Sequence, residues 1–140
     1  IYAQCNETFN WLSIAAIVGN TYYCVHGGVS PRGLNRDELI SLPKPVTRSS
    51  RDYLIQDAVW ADPAVGLRGS CFNYDRGLSI YFGLDVLVFA LHQVQCIALF
   101  RGHSISDNEQ RLREPVGHVL HCVHGDGNER HQRRSSRLHR

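Results

Sequence analysis

The sequence predicts a mixed α/β (α+β) domain, because segments typical of strands and of helices alternate along it up to His103. Its 140 residues suffice for one domain with a hydrophobic core, and two full domains are not expected. A hydrophobic content of 43% is that of a globular protein. Together, the alternation, the length and the composition indicate one α/β domain.

The first elements are two neighbouring strands and a short helix. Ile14 to Val18 is an apolar run, Gly19-Asn20 is a turn signal, and Thr21 to Val25 is rich in residues that favour strands. We therefore predict a hairpin or two adjacent strands. Asn35 to Ile40 begins with a capping residue followed by acidic residues, which predicts a short helix ending before Pro43.

A second helix is predicted from Ser50 to Val59, because Trp60-Ala61-Asp62-Pro63 then stops it: the residue before a proline disfavours the helical conformation. The stretch from Gly66 to Asp75 is rich in glycine and asparagine and is predicted to be a loop.

Three further elements lead to a histidine. Leu78 to Phe82 alternates in the manner of a strand, and Leu84 to Gln93 has the pattern of a helix. Cys96 to Phe100 is a compact apolar strand that runs directly into Arg101-Gly102-His103. Polar side chains that carry chemistry often follow strand ends, where a rigid scaffold meets a loop.

The segment from 104 to 140 differs in character from the rest. Residues 1 to 103 contain eight basic and eight acidic side chains, whereas residues 104 to 140 contain seven basic and five acidic ones. Apolar periodicity fades there except at Val116 to Val123. We predict a divergent, disordered basic tail. Nucleic-acid binding is not expected, since no aromatic residues are interleaved with the final arginines.

The composition also limits the cellular setting. No apolar run approaches the roughly 18 to 20 residues of a membrane span, so a membrane partner is not expected. The five cysteines are odd in number and include no C-x-x-C pair. A reducing compartment, the cytoplasm or the nucleus, is therefore predicted. The sequence contains no methionine and begins at Ile1, from which we expect that an upstream segment is missing.

Four motifs occur in a fixed order. They are Cys24-Val25-His26-Gly27-Gly28-Val29-Ser30-Pro31, Val59-Trp60-Ala61-Asp62-Pro63, Asp75-Arg76-Gly77-Leu78-Ser79-Ile80-Tyr81-Phe82-Gly83 and Arg101-Gly102-His103. In order and spacing they resemble the C-terminal portion of the phosphoprotein phosphatase family of metal-dependent Ser/Thr protein phosphatases. The resemblance covers residues 1 to about 103. It implies a partial calcineurin-like metallophosphoesterase β-sandwich flanked by helices.

His26 and His103 are the candidate metal ligands. A neutral imidazole at a strand end binds zinc, manganese or iron well, whereas an ordinary buried or loop histidine is the alternative. The resemblance implies that both coordinate one ion of a dinuclear centre, which activates a water molecule for attack on a phosphate ester. We predict that strands ending near Val25 and Phe100 bring the two histidines to one sheet edge.

Arg76 is the candidate phosphate-binding residue. Its planar guanidinium matches two phosphate oxygens, and the resemblance implies this role; an ion pair with Asp75 is the alternative. Asp62 and Asp75 are candidates for lining the groove that binds the phosphopeptide, although a cap or loop hydrogen bond explains them equally well. Trp60 is interpreted as a core residue.

The resemblance is incomplete. The family's upstream motifs G-D-x-H-G, G-D-x-x-D-R-G and G-N-H-E, with their metal ligands and acid histidine, are absent, as is its downstream S-A-P-N-Y-C-G-like loop. No catalytic residue is therefore assigned. The resemblance implies a fragment of a protein Ser/Thr phosphatase that uses two divalent ions (manganese, iron or zinc), of which this chain holds an incomplete site.

We expect this chain alone to be inactive. A catalytically inactive interaction module is the alternative. Phosphoprotein substrates and regulatory subunits are the implied partners.

Overall fold

The computed structural model describes residues 1–47, 52–104 and the backbone of 119–122. Helices and short strands alternate, which confirms the predicted mixed α/β class. The elements in chain order are α1 (Tyr2–Phe9), β1 (Ala15–Val18), β2 (Tyr22–Val25), α2 (Arg36–Ser41), α3 (Tyr53–Trp60), β3 (Asp62–Pro63), β4 (Ser70–Phe72), β5 (Ile80–Phe82), α4 (Leu84–Gln93), β6 (Ala98–Arg101) and β7 (Val119–Cys122).

The larger sheet has the strand order β1-β2-β6-β7. Strands β1 and β2 are antiparallel, and the turn between them has positive φ at Gly19 (59°) and Asn20 (53°), with Thr21 N donating to Val18 O at 3.0 Å. Positive φ at both central residues is typical of the type I′ turn, whose twist matches that of the two strands. The predicted hairpin is therefore confirmed. Strand β2 then pairs in parallel with β6, and β6 with β7.

The smaller sheet has the order β3-β5-β4. Its edge strand β4 lies within the stretch from Gly66 to Asp75 that the sequence predicted to be a loop, and that prediction was wrong at Ser70–Phe72. All three residues of β4 are exposed, so no alternation of buried and exposed positions marks the strand. Its conformation is set by antiparallel pairing with β5, which no local pattern encodes.

Three predicted helices are present. In α2 the side chain of Asn35 accepts a hydrogen bond from Asp37 N at 2.8 Å, and in α3 Asp52 caps Leu54 N at 2.8 Å. Helix α3 begins at Tyr53 after its N-cap Asp52, whereas the predicted start at Ser50 lies outside the described residues. The bounds of α4 match the prediction. Helix α1, which buries no residue, was not predicted.

The core lies between the larger sheet and the helices α3 and α4. Fully buried Tyr23 and Leu99 from the strands meet Leu87 and Leu91 of α4 and Leu54 of α3. Burial of such side chains contributes about 1.5–3 kcal/mol each. These contacts fix the position of strands β2 and β6, from whose ends the candidate ligands extend.

Strand β6 begins two residues later than the sequence predicted. Cys96 N donates to Leu91 O at 2.9 Å, so the backbone N–H of Cys96 pairs with the last turn of α4 and not with the sheet. Gln95 before it has a positive φ of 57°. The strand therefore runs from Ala98 to Arg101 and carries the arginine into the sheet.

The expected tail lies mostly outside the described residues. Val119–Cys122 form strand β7 along β6, so at these four positions the backbone differs from the expected disorder. The open hydrogen-bonding edge of β6 accounts for this pairing. Among the residues described, no helix is long and apolar enough to cross a membrane.

Candidate metal and phosphate site

The structure places His26 and His103 side by side. Strands β2 and β6 are parallel, with Val25 opposite Arg101, so both strands end at the same sheet edge. His26 follows one strand directly and His103 follows the other after a glycine. His26 Nε2 and His103 Nδ1 are 2.9 Å apart, with the rings inclined at 71°.

The two glycines after His26 allow a close approach to helix α3. Gly27 N donates to Ala58 O at 2.7 Å, and Gly28 N donates to Asp57 O at 3.1 Å. A Cβ atom at Gly27 would lie 2.5 Å from the backbone carbon of Val59. Only glycine therefore fits here without moving His26 away from the helix.

His103 is held in an unusual backbone conformation. Its φ of 75° lies in the left-handed region, which costs about 1–3 kcal/mol and is common at functional sites. Gly102 N donates to His26 O at 3.2 Å, and the rings of Trp60 and His103 form a T-shaped contact at 5.6 Å between centroids. Trp60 remains 39% exposed and so supports the histidine at the rim, whereas the sequence indicated a core residue.

Both histidines favour the neutral form. Burial lowers the pKa of His26, and the positive charges of Arg101 and Arg76 lower it further, against an opposing effect of Asp62. Burial is also the largest cause of the lowered pKa of His103. A neutral imidazole has the lone pair that a metal ion requires.

The pair fits a shared divalent ion. Two nitrogens bound at about 2.0–2.1 Å to one ion would be about 2.9–3.4 Å apart for angles between square and tetrahedral. The separation of 2.9 Å between His26 Nε2 and His103 Nδ1 falls in that range. Within residues 1–47 and 52–104, however, no group of three or more candidate ligands occurs. Among the described residues, His26 and His103 are thus the two candidate ligands for one ion.

Asp62 is the centre of a hydrogen-bonded network beside the histidines. Its Oδ1 accepts from Arg101 Nη2 and Ser104 Oγ, both at 2.9 Å. Its Oδ2 accepts from Asn73 Nδ2 and Arg76 Nε, both at 3.1 Å. The aspartate is only 7% exposed and the arginine of β6 is 1% exposed, so this is a buried ion pair.

The charge state of Asp62 follows from that network. Burial alone would raise its pKa, but hydrogen bonds from Arg76, Ser104 and Asn73 and the charge of Arg101 outweigh burial and hold the pKa below its ordinary value. The carboxylate is therefore ionised at neutral pH.

Arg76 lies on the same side as the histidines. Its ion pair is with Asp62, not with neighbouring Asp75, and only its Nε is used. Among the described residues, neither terminal nitrogen of Arg76 has a partner. Asp75 is exposed and accepts a hydrogen bond from the Tyr81 hydroxyl, which raises the pKa of Tyr81 to about 12.

Comparison with known proteins assigns the chain to a family. The sequence model of the calcineurin-like phosphoesterase family matches residues 1–107. The chain belongs to this family. This calcineurin-like phosphoesterase is 33% identical over 105 residues to serine/threonine-protein phosphatase PP1-delta of Caenorhabditis elegans. The aligned region covers 75% of this chain and 34% of the relative.

A solved structure supports the fold of this calcineurin-like phosphoesterase. A protein serine/threonine phosphatase from Saccharomyces cerevisiae with similarity to human phosphatase PP5 superposes with a TM-score of 0.60 at 24% identity. The match covers 71% of this chain and 30% of that one. The predicted family resemblance is thus confirmed, and the chain spans about a third of the length of these relatives.

Sequence reasoning missed the residues that hold the candidate site together. Arg101, Asn73 and Ser104 were assigned no role, although all three bind Asp62. For Arg101 a signal was present: an arginine ending an apolar strand must either leave the sheet or find a buried partner. The side chains of Asn73 and Ser104 gave no comparable signal, because their partner is distant in sequence.

Proposed function

We propose that this chain is part of the catalytic domain of a protein Ser/Thr phosphatase, which hydrolyses phosphoserine and phosphothreonine with two divalent metal ions. The approach of His26 Nε2 to His103 Nδ1 within 2.9 Å, beside Arg76, carries the proposal. The similarity to proteins named as serine/threonine phosphatases supports the substrate class.

In this proposal His26 and His103 hold one ion through their facing nitrogens. A divalent ion bound there supplies Lewis acidity and a water molecule of lowered pKa. The histidines contribute no charge of their own, so the cation keeps its full attraction for a phosphate. Manganese, iron and zinc all accept imidazole ligands.

Arg76 provides the phosphate contact. Asp62 occupies its Nε, which leaves the two terminal nitrogens to donate to two phosphate oxygens. Exposed Asp75 lies on the same loop and is the candidate contact for the peptide that carries the phosphate. Phosphoproteins are thus the substrates, and regulatory subunits are further partners of the complete phosphatase.

We also propose that the 140-residue chain does not turn over substrate alone. Two imidazoles provide half of a tetrahedral shell for one ion. Two-metal hydrolysis needs both ions at a fixed separation to generate the nucleophile and to neutralise the developing charge. Metal affinity should be correspondingly weak.

Metal binding is the first test. Cobalt(II) is titrated into the purified chain, and its visible spectrum reports ligation by histidine. We expect His26→Ala or His103→Ala to lower the affinity at least tenfold, whereas His92→Ala, which removes an exposed histidine of α4, should not. Equal affinities in all four proteins would refute the metal assignment.

Phosphate binding and turnover are tested separately. We expect inorganic phosphate, in the presence of manganese, to bind more weakly to Arg76→Gln than to wild type, with exposed Arg68→Gln as the matched control. Hydrolysis of an aryl phosphate and of a phosphothreonine peptide is assayed with and without manganese. Turnover that disappears in His26→Ala would contradict the proposed inactivity and support the phosphatase assignment.

A further inference from the structure

We propose that Asp62 is a positioning residue that orients Arg76 and His103 together, and does not contact the substrate. The inference rests on the proposed function, since it concerns the phosphate-binding arginine and one metal-binding histidine. It replaces the sequence-based prediction that Asp62 lines the substrate groove.

The first argument is that Asp62 has no capacity left for a ligand. A carboxylate offers about four acceptor sites. Two donors, Arg101 and Ser104, fill Oδ1, and Asn73 and Arg76 fill Oδ2. With 7% of its surface exposed, the aspartate is also out of reach of a peptide.

The second argument concerns the direction of Arg76. The guanidinium group is planar, so a hydrogen bond from Nε to a fixed carboxylate restricts where the two terminal nitrogens point. Asn73 adds a second restraint, because its Oδ1 accepts from Arg76 N at 3.1 Å while its Nδ2 donates to Asp62. Asp62 therefore restrains both the guanidinium of Arg76, directly, and the backbone of Arg76, through Asn73.

The third argument concerns His103. Its Nδ1 faces His26, and its Nε2 is buried with no hydrogen-bond partner among the described residues. That Nε2 lies 3.9 Å from Asp62 Oδ1, so the negative charge of the carboxylate favours the tautomer that carries its proton on Nε2 and leaves the lone pair on Nδ1 for a metal ion. A carboxylate beside the outer nitrogen of a metal-binding histidine fixes the ring and its tautomer.

The fourth argument is that Asp62 itself cannot move. Its Oδ1 is paired with Arg101, whose side chain is fully buried and also donates to Gly27 O, in the loop that follows His26. Displacing the carboxylate would break a buried ion pair, which is costly. One anchored anion thus sets the geometry of the phosphate contact and of a metal ligand at once.

The test uses the two binding assays on the full 140-residue chain. Asp62→Glu keeps the charge that compensates Arg101 but displaces the carboxylate by one methylene group. We expect it to weaken cobalt(II) and inorganic phosphate binding, each about tenfold or more. The control is Asp37→Asn, which changes an exposed aspartate of α2. It should alter neither affinity by more than about twofold. A folded Asp62→Glu protein with both affinities unchanged would overturn the inference.

A second measurement does not depend on any variant folding. Nuclear magnetic resonance of the wild-type chain records solvent exchange of the Arg76 Nε–H. We expect exchange at least tenfold slower than for the Nε–H of exposed Arg68, because only the former donates to a buried carboxylate. Equal rates would also overturn the inference. Wild-type chain that binds neither cobalt nor phosphate would instead refute the proposed function, leaving the orientation of Arg76 to be decided by exchange alone.

Discussion

Replacing Gly27 by alanine should move His26 away from His103 without changing either histidine chemically. The added Cβ would lie 2.5 Å from Val59 C and 2.7 Å from Trp60 N. Carbon atoms in contact are normally about 3.5–4.0 Å apart, so the loop must move by about 1 Å. Because both neighbours are backbone atoms of α3, no side-chain rotation can relieve the overlap.

The magnitude follows from what the movement breaks. Overpacking costs about 1–3 kcal/mol, and the two hydrogen bonds that Gly27 N and Gly28 N donate to α3 are worth about 0.5–1.5 kcal/mol each. We therefore expect the free energy of unfolding to fall by about 2–6 kcal/mol, measured as a lower urea midpoint at unchanged slope. Affinity for cobalt(II) should fall as well, since His26 moves with the loop.

Gly102→Ala is the matched control beside the other histidine. At that position the nearest atom to an added Cβ is His26 Nδ1, at 3.9 Å, which is ordinary contact. We expect stability to change by less than about 1 kcal/mol, because alanine also restricts the unfolded chain. If both alanine variants unfold at the same urea concentration, the reasoning from close approach to α3 is refuted.

Three further predictions concern the buried groups. Burial raises the pKa of Asp57, despite hydrogen bonds from Ser79 and Ser30 and the positive charge of Arg32, which lower it. A raised acid pKa means that stability is lost as pH rises from about 4 through the folded-state pKa. Urea unfolding at pH 4.5 and 7 should therefore show a smaller fall with pH in Asp57→Asn than in wild type, and an equal fall would contradict this. Arg101→Met should lower the free energy of unfolding by about 3–5 kcal/mol by leaving Asp62 short of its buried partner, and the double variant with Asp62→Asn should cost less than the sum of the two single changes; strict additivity in urea unfolding would disprove the coupling. Leu91→Ala should cost about 2–5 kcal/mol because the side chain is fully buried, whereas Ile40→Ala, at an 83% exposed position, should leave the thermal midpoint nearly unchanged; equal losses would place the core elsewhere.

The parts of the fold that sequence predicted are those with local causes. The turn at Gly19-Asn20 needs positive φ at both residues, and the helix from Leu84 to Gln93 follows its apolar period. Strand β4 was missed because its residues are all exposed and it depends on pairing with β5. Cys96 was misassigned because the helix before it, not the strand after it, uses its N–H.

The candidate site divides in the same way. His26, His103 and Arg76 could be proposed from sequence because each belongs to a short motif whose residue types match a chemistry. The network around Asp62 was not found, because Asp62 and Ser104 are 42 residues apart and a carboxylate in sequence does not reveal whether it faces a groove or a guanidinium. Only the folded structure shows which side chains already have hydrogen-bond partners within the protein.

The two imidazoles that meet across β2 and β6 are 77 residues apart in the chain. Bringing them together closes a long loop, and its entropy cost is met only when the parallel strands pair. A cation held by both nitrogens therefore acts as a removable crosslink between distant parts of the chain. At a free concentration of 100 times its Kd, such an ion would stabilise the folded state by about 2.7 kcal/mol. If His26 and His103 hold a cation as proposed, folding and metal loading form one linked equilibrium, and the fraction of native chains rises with the concentration of free cation.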